Sequence, residues 1–326
     1  MRPALLALVI STIAAFGFGQ PVHAATKVTV GVLKFGTVSW VLDTIQRNGL
    51  DKAEGIELDV MPLASTEATA VGLQGGSADV IATDWLWVSR ERTGGADFTF
   101  SPFTTALGAI MVPRESPIKT LTDLKGKKLG VAGGPLDKSW LLIVAYALRT
   151  ANLDLRTETR QVYGAPPLLA EKAKQGELDA VLNFWPYAAR LEAAGFKQLI
   201  GIEDVVSELG SKGEVAMVGY VFSESWAKEN TQAVDSFLRA AAKADEMLAT
   251  SNEAWDAIRP LMRAEDDATF EALRRRYREG IPERSTAENE SDAKVLYQFL
   301  RELGGEKLVG PGAELAPGTF WKGGKS

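Results

Sequence analysis

Beyond residue 26 the apolar positions fall into short runs whose period switches back and forth. Residues 28–33, 56–63, 80–82 and 98–101 are dense in β-branched and aromatic side chains and read as strands. Between them Val41, Leu42 and Ile45 keep helical spacing over residues 37–48, which Gly49 stops. Ser65 or Thr66 caps a helix closed by Gly75-Gly76, and Asp84 caps another that runs to about Arg92. The order then restarts. Strands at 128–132, 159–163, 180–183 and 197–201 alternate with helices at 137–150, at 186–194 and from Pro166-Pro167 to near Gly176. Regular strand–helix alternation with short connections predicts doubly wound, parallel α/β sheets.

One unit occurs in both passes, 100 residues apart. Leu73-Gln74-Gly75-Gly76-Ser77-Ala78-Asp79-Val80 matches Ala173-Lys174-Gln175-Gly176-Glu177-Leu178-Asp179-Ala180, and Trp85 matches Trp185. The glycine ends a helix, the aspartate enters a buried strand, and the tryptophan follows that strand. Two such units predict two lobes: 26–108 with 220–326, and 109–219. The apolar stretches 105–113 and 215–222 are the expected crossings. Four helices after residue 230 are expected to pack back on the first lobe, with the Gly- and Pro-rich tail from Gly304 as a covering strap.

The first 25 residues read as a cleaved signal peptide: Arg2, an apolar run over 4–18, and the small-x-small form of Val22-His23-Ala24. His23 is the chain's one histidine and cysteine is absent. After cleavage no imidazole or thiol remains, which excludes Ser-His-Asp and Cys-His catalysis, His/Cys zinc sites and disulfides. Loss of Arg2 takes the formal charge from −6 to −7. An acidic, well-mixed surface argues against nucleic acid as partner. The basic block Arg274-Arg275-Arg276 with Arg278 reads as a solvated helix face.

These features resemble a family. A signal segment precedes Val28-Thr29-Val30-Gly31-Val32, the repeated unit, and Leu121-Thr122-Asp123-Leu124-Lys125-Gly126-Lys127-Lys128-Leu129-Gly130-Val131. The combination is similar to the solute-binding proteins of ABC importers, in the group that binds nitrate, taurine, sulfonates and thiamine precursors. The resemblance implies a type II periplasmic binding protein fold, with two lobes closing by hinge motion on a small molecule. It also implies a permease partner. The signal segment points to the periplasm, and fold relatives that are enzymes use His and Cys residues this mature chain lacks, so a monomeric binding protein with no cofactor and no enzymatic activity is expected.

Ligands of open parallel sheets lie beyond the carboxyl ends of strands, where helix N-termini favour polar or negative groups. Trp40, Trp85, Trp87, Trp140 and Trp185, of eight tryptophans, fall in or beside the loops this rule selects. Candidate ligand contacts are Phe35, Thr37 and Trp40; Ser65 and Thr66; Asp84 and Trp85; Thr104; Asp137, Lys138 and Ser139; Asn183, Trp185 and Tyr187; and Tyr220. Aromatic walls stack flat rings or hold cations. Asp84 suits an amine or serves as a helix cap, and its charge opposes a simple anion. Asp137-Lys138-Ser139 either cradles an anion or is an ordinary cap. Two other readings stay open: a metal ion or chelate held by Asp84, Glu67 and Asp137, and a hydrolase using Asp84 and Asp137 as a carboxylate pair.

Overall fold

The computed structural model describes residues 25–34 and 36–323; residues 1–24 of the proposed signal segment and the candidate Phe35 lie outside the described residues. The first lobe begins β1 (Thr26–Leu33), α1 (Val38–Arg47), α2 (Leu50–Ala53), β2 (Ile56–Leu63), α3 (Thr66–Gln74), β3 (Val80–Asp84), α4 (Trp85–Thr93) and β4 (Phe98–Thr104). The chain crosses and builds β5 (Gly108–Pro113), β6 (Lys128–Ala132), α5 (Lys138–Ala151), α6 (Leu155–Glu158), β7 (Arg160–Gly164), α7 (Pro166–Lys174), β8 (Ala180–Phe184), α8 (Trp185–Ala193), β9 (Phe196–Gly201) and α9 (Ile202–Glu208). It returns through β10 (Val218–Ser223) to α10 (Glu224–Glu229), α11 (Thr231–Thr250), α12 (Asn252–Met262), α13 (Asp267–Glu279), α14 (Thr286–Gly304) and α15 (Glu306–Val309).

Each lobe holds a five-stranded sheet: β2-β1-β3-β10-β4 and β7-β6-β8-β5-β9. The orders are the same with one strand traded between lobes. The traded strands β5 and β10 run antiparallel to both neighbours. The sheets are therefore mixed, where strand–helix alternation predicted parallel ones. A strand arriving from the other lobe has no crossover helix on this sheet, so its direction is free of the βαβ constraint.

The repeated unit builds the same joint twice. Gly76 and Gly176 sit in the left-handed region at φ 71° and 75°, which a side chain would strain. Asp79 then exchanges two bonds with Thr29: its amide donates to the Thr29 carbonyl (2.9 Å) and its carboxylate accepts the Thr29 N–H (2.7 Å). Asp179 does the same with Lys128, at 3.0 and 2.8 Å. In each lobe the aspartate pins the start of one strand to its parallel neighbour just before their pairing begins, at Thr29 inside β1 and at Lys128, the first residue of β6.

The C-terminal helices do not all return to the first lobe. α11 and α12 pack on α1, but α13 packs on α8 and α14 on α5 of the second lobe. The arginine block is not simply a solvated face: Arg275 binds Glu192 of α8 at 2.6 Å, and Arg276 reaches Gln198 of β9 at 2.7 Å. Tyr277 of α13 lies against Trp40 of the first lobe and Trp185 of the second, at ring separations of 5.9 and 6.3 Å. The tail does act as a strap, Phe100 on β4 exchanging backbone bonds with Thr319 and Trp321. No helix among the described residues is long and apolar enough to cross a membrane.

Candidate functional site

Two cavities mark the junction of the lobes. The smaller, about 280 Å³, lies behind the first crossing and is lined by Glu203, Asp204, Glu214, Glu279 and Arg276. The larger, about 540 Å³, lies where strand ends converge: its wall includes the last residues of β3 and residues just past β1, β2, β6 and β8. Five helix N-termini (α1, α3, α4, α5 and α8) abut it. That convergence makes the larger cavity the candidate site.

Its apolar wall comprises Trp40, Phe103, Leu142, Trp185, Pro186 and Met217, with Phe184 and Tyr187 at one side. Its polar wall carries Thr37, Thr66, Thr83, Thr104 and Ser139 beside Asp84, Asp137 and Lys138. The α3 and α5 helices are capped by Ser65 and Asp137, whereas α1 has no side-chain cap on its first turn. These amide ends place a partial positive charge along the polar wall.

The electrostatic centre is an ion pair between lobes. Lys138 Nζ on α5 donates to Oδ2 of Asp84, the last residue of β3 and the N-cap of α4, at 3.0 Å. The other oxygen of Asp84 accepts the Trp87 N–H at 2.8 Å, so one carboxylate caps its helix and holds the ammonium. Asp137 caps α5 through the Trp140 N–H at 3.1 Å. Burial pulls the Lys138 ammonium down, but the charges of Asp84 and Asp137 and the hydrogen bond to Asp84 carry it above its ordinary value. Burial pushes Asp137 up, against the nearby Lys138 charge and the N–H groups of Trp140 and Ser139. The objection that Asp84 repels an anion loses force, because its charge is met by Lys138.

The structure brings ten of the candidate residues to this wall: Thr37, Trp40, Thr66, Asp84, Thr104, Asp137, Lys138, Ser139, Trp185 and Tyr187. Four others point elsewhere. Ser65 caps α3 through the Ala68 N–H. Asn183 is buried, donating to the Pro166 carbonyl and accepting from the Phe184 N–H. Tyr220 lies under the wall, between Phe103 and Phe237. Trp85 is fully buried in the core it shares with Trp140 and Ile143. Trp87, outside the wall, stacks on Phe98. Trp85 and Trp185 are thus equivalent in the repeat but not in place: only the second reaches the cavity, where it meets Trp40 edge to face. Sequence reasoning missed Arg190 and the turn Leu261-Met262-Arg263, which line the cavity from outside the strand-end loops.

A family model described as "NMT1/THI5 like" matches residues 46–254. The chain belongs to the NMT1/THI5-like family. The chain is 28% identical to a putative aliphatic sulfonates-binding protein of Escherichia coli over 182 residues, 55% of this chain and 53% of that one. The match therefore spans about half of that curated relative. Among solved structures, this NMT1/THI5-like protein shares its fold with the periplasmic aliphatic sulphonate binding protein SsuA of Escherichia coli (TM-score 0.72, 20% identity, 91% and 92% of the two chains). It shares it also with the alkanesulfonate-binding protein SsuA of Xanthomonas axonopodis pv. citri bound to MOPS (TM-score 0.67, 18% identity, 91% and 98%). The fold is accordingly that of a type II periplasmic binding protein: two α/β lobes joined by two crossings.

Proposed function

We propose that this protein is the extracytoplasmic solute receptor of an ABC importer, binding a small molecule between its lobes and presenting it to a membrane permease. It works in the periplasm as a monomer, without a cofactor and without turning its solute over. The observation that carries this reading is the roughly 540 Å³ cavity walled by both lobes, a size typical of sites for small organic ligands.

The wall supports a solute with an apolar or flat body and a polar head. Trp40, Phe103 and Trp185 suit the body. The hydroxyls of Thr37, Thr66, Thr83 and Ser139, the Lys138 ammonium and the N-terminus of α1 suit an oxyanion head. A sulfonate fits this donor set, and the names of the relatives favour one. Amines and thiamine precursors remain second choices, served by Asp84 and Asp137.

Neither alternative draws support. No group of three or more His, Cys, Asp or Glu among the described residues could hold a metal ion, and Lys138 sits against the carboxylate a metal would need. Asp84 and Asp137 each cap a helix, so neither is poised as a free acid or base.

Native mass spectrometry of the protein as purified, followed by titration of its tryptophan fluorescence with linear alkanesulfonates, taurine, arylsulfonates and a thiamine pyrimidine precursor, tests the reading. A saturable change with a rise in melting temperature is expected for at least one class. No response to any of them, and no copurified solute, would sink it.

A further inference from the structure

Arg190 lies on α8 of the second lobe, lines the cavity, and reaches across to the first-lobe side. Its guanidinium donates to the Met262 carbonyl at 2.7 Å, the Arg263 carbonyl at 3.0 Å and the Glu265 carboxylate at 2.6 Å. Met262 and Arg263 are the last residue and the C-cap of α12, a helix that packs on α1. Helix ends leave their final carbonyls without partners, and a cation there is favoured by the helix dipole. This end is short of support in two further ways. Pro260, inside the last turn, has no N–H to bond the Asp256 carbonyl. Arg263 sits at φ 50°, a left-handed conformation that side chains rarely adopt. The same turn forms cavity wall: Leu261, 41% exposed, and Met262, 2% exposed, both line it.

We propose that Arg190 is the positioning residue of a gate: from one lobe it caps the proline-weakened last turn of α12 on the other, and so sets how readily residues 261–263 move aside to admit or release solute. When the lobes part, the guanidinium leaves with α8 and the turn loses its cap. Opening the cleft and loosening this wall are thus one event. The consequence for solute exchange rests on the receptor reading, but the gate itself does not.

The chain has no cysteine, which gives a direct probe without any ligand. A thiol placed by Met262→Cys reports exposure of the gate through its rate of modification by a small maleimide. A thiol placed by Val144→Cys, buried in α5, reports global opening. Adding Arg190→Ala is expected to speed modification at position 262 roughly tenfold or more while leaving position 144 unchanged, a local opening rather than global unfolding. Arg190→Lys, which keeps the charge but loses the fork over two carbonyls, should fall between. Glu265→Gln, which keeps both carbonyl contacts, should change the rate little. Equal rates at 262 with and without Arg190, or acceleration at both positions together, would overturn the gate. Because no solute is present, that failure would leave the receptor reading standing, and a failed ligand panel would leave the gate standing.

Discussion

The indole rings of Trp40 and Trp185 meet edge to face at 6.0 Å, one contributed by each lobe, and both also line the cavity. Tyr277 and Trp255 complete the cluster behind them. The wall a solute would touch is therefore also a contact by which the lobes hold each other.

Replacing Trp185 by Ala should affect both roles. The ring is 8% exposed, and truncating a buried tryptophan typically costs about 3–5 kcal/mol. Denaturant unfolding should show that loss. Calorimetric titration with a solute that binds the wild type should show at least about tenfold weaker affinity, whereas Trp185→Phe should recover most of both.

Asp84→Asn keeps a side-chain oxygen for the Trp87 N–H but removes the charge facing Lys138. Stability should fall by about 1 kcal/mol or less, since the lysine is partly solvated. Affinity for an anionic solute should rise, because Lys138 is released from its carboxylate. Lys138→Met should do the reverse. Titrations of both variants with one alkanesulfonate at two salt concentrations check the sign.

Asp245 supplies a pH test. Burial raises its carboxyl to about 7, although the Tyr277 hydroxyl, donating at 2.6 Å, works against that rise. Between about pH 4 and 7 the native state therefore holds a proton that the unfolded chain has lost. Stability must fall as pH rises through this window, with nothing further lost above it. Asp245→Asn, which leaves Tyr277 an acceptor, should flatten that slope. Urea midpoints at pH 5 and pH 8 for the two proteins measure it; equal slopes would count against the assignment.

The two strand-pinning aspartates should matter for stability alone. Asp79→Ala leaves the part-buried Thr29 N–H without its carboxylate partner, at a cost of about 1–3 kcal/mol, while Asp179→Ala, whose Lys128 N–H is exposed and can turn to water, should cost about 1 kcal/mol or less. Both sit at the far ends of their strands from the cavity, so solute affinity measured well below the melting temperature should be unchanged.

Much of the scaffold was legible because it is local. A glycine in the left-handed region and an aspartate at a strand entry leave a repeated signature, and buried strands of five to eight residues announce themselves by composition. The site was only partly legible. Trp85, Trp140 and Trp185 look alike as tryptophans at helix starts, yet only the last faces the cavity, since a helix start does not reveal which side the ring turns to. Lys138 could not be assigned to Asp84, 54 residues away on the other lobe. The antiparallel β5 and β10, the second-lobe docking of α13 and α14, and the Arg190 clasp depend on how the lobes meet. No periodicity encodes that.

The traded strands also set the order in which the chain can become a protein. Every strand of the second sheet lies between Gly108 and Gly201, so that lobe's sheet can form from one continuous stretch. The first sheet cannot. β10 lies between β3 and β4, so until the chain has emerged as far as Ser223 those strands face a gap one strand wide, with their inner edges unpaired. The half that comes first off the ribosome is thus the half whose sheet must wait for a strand made about 120 residues later.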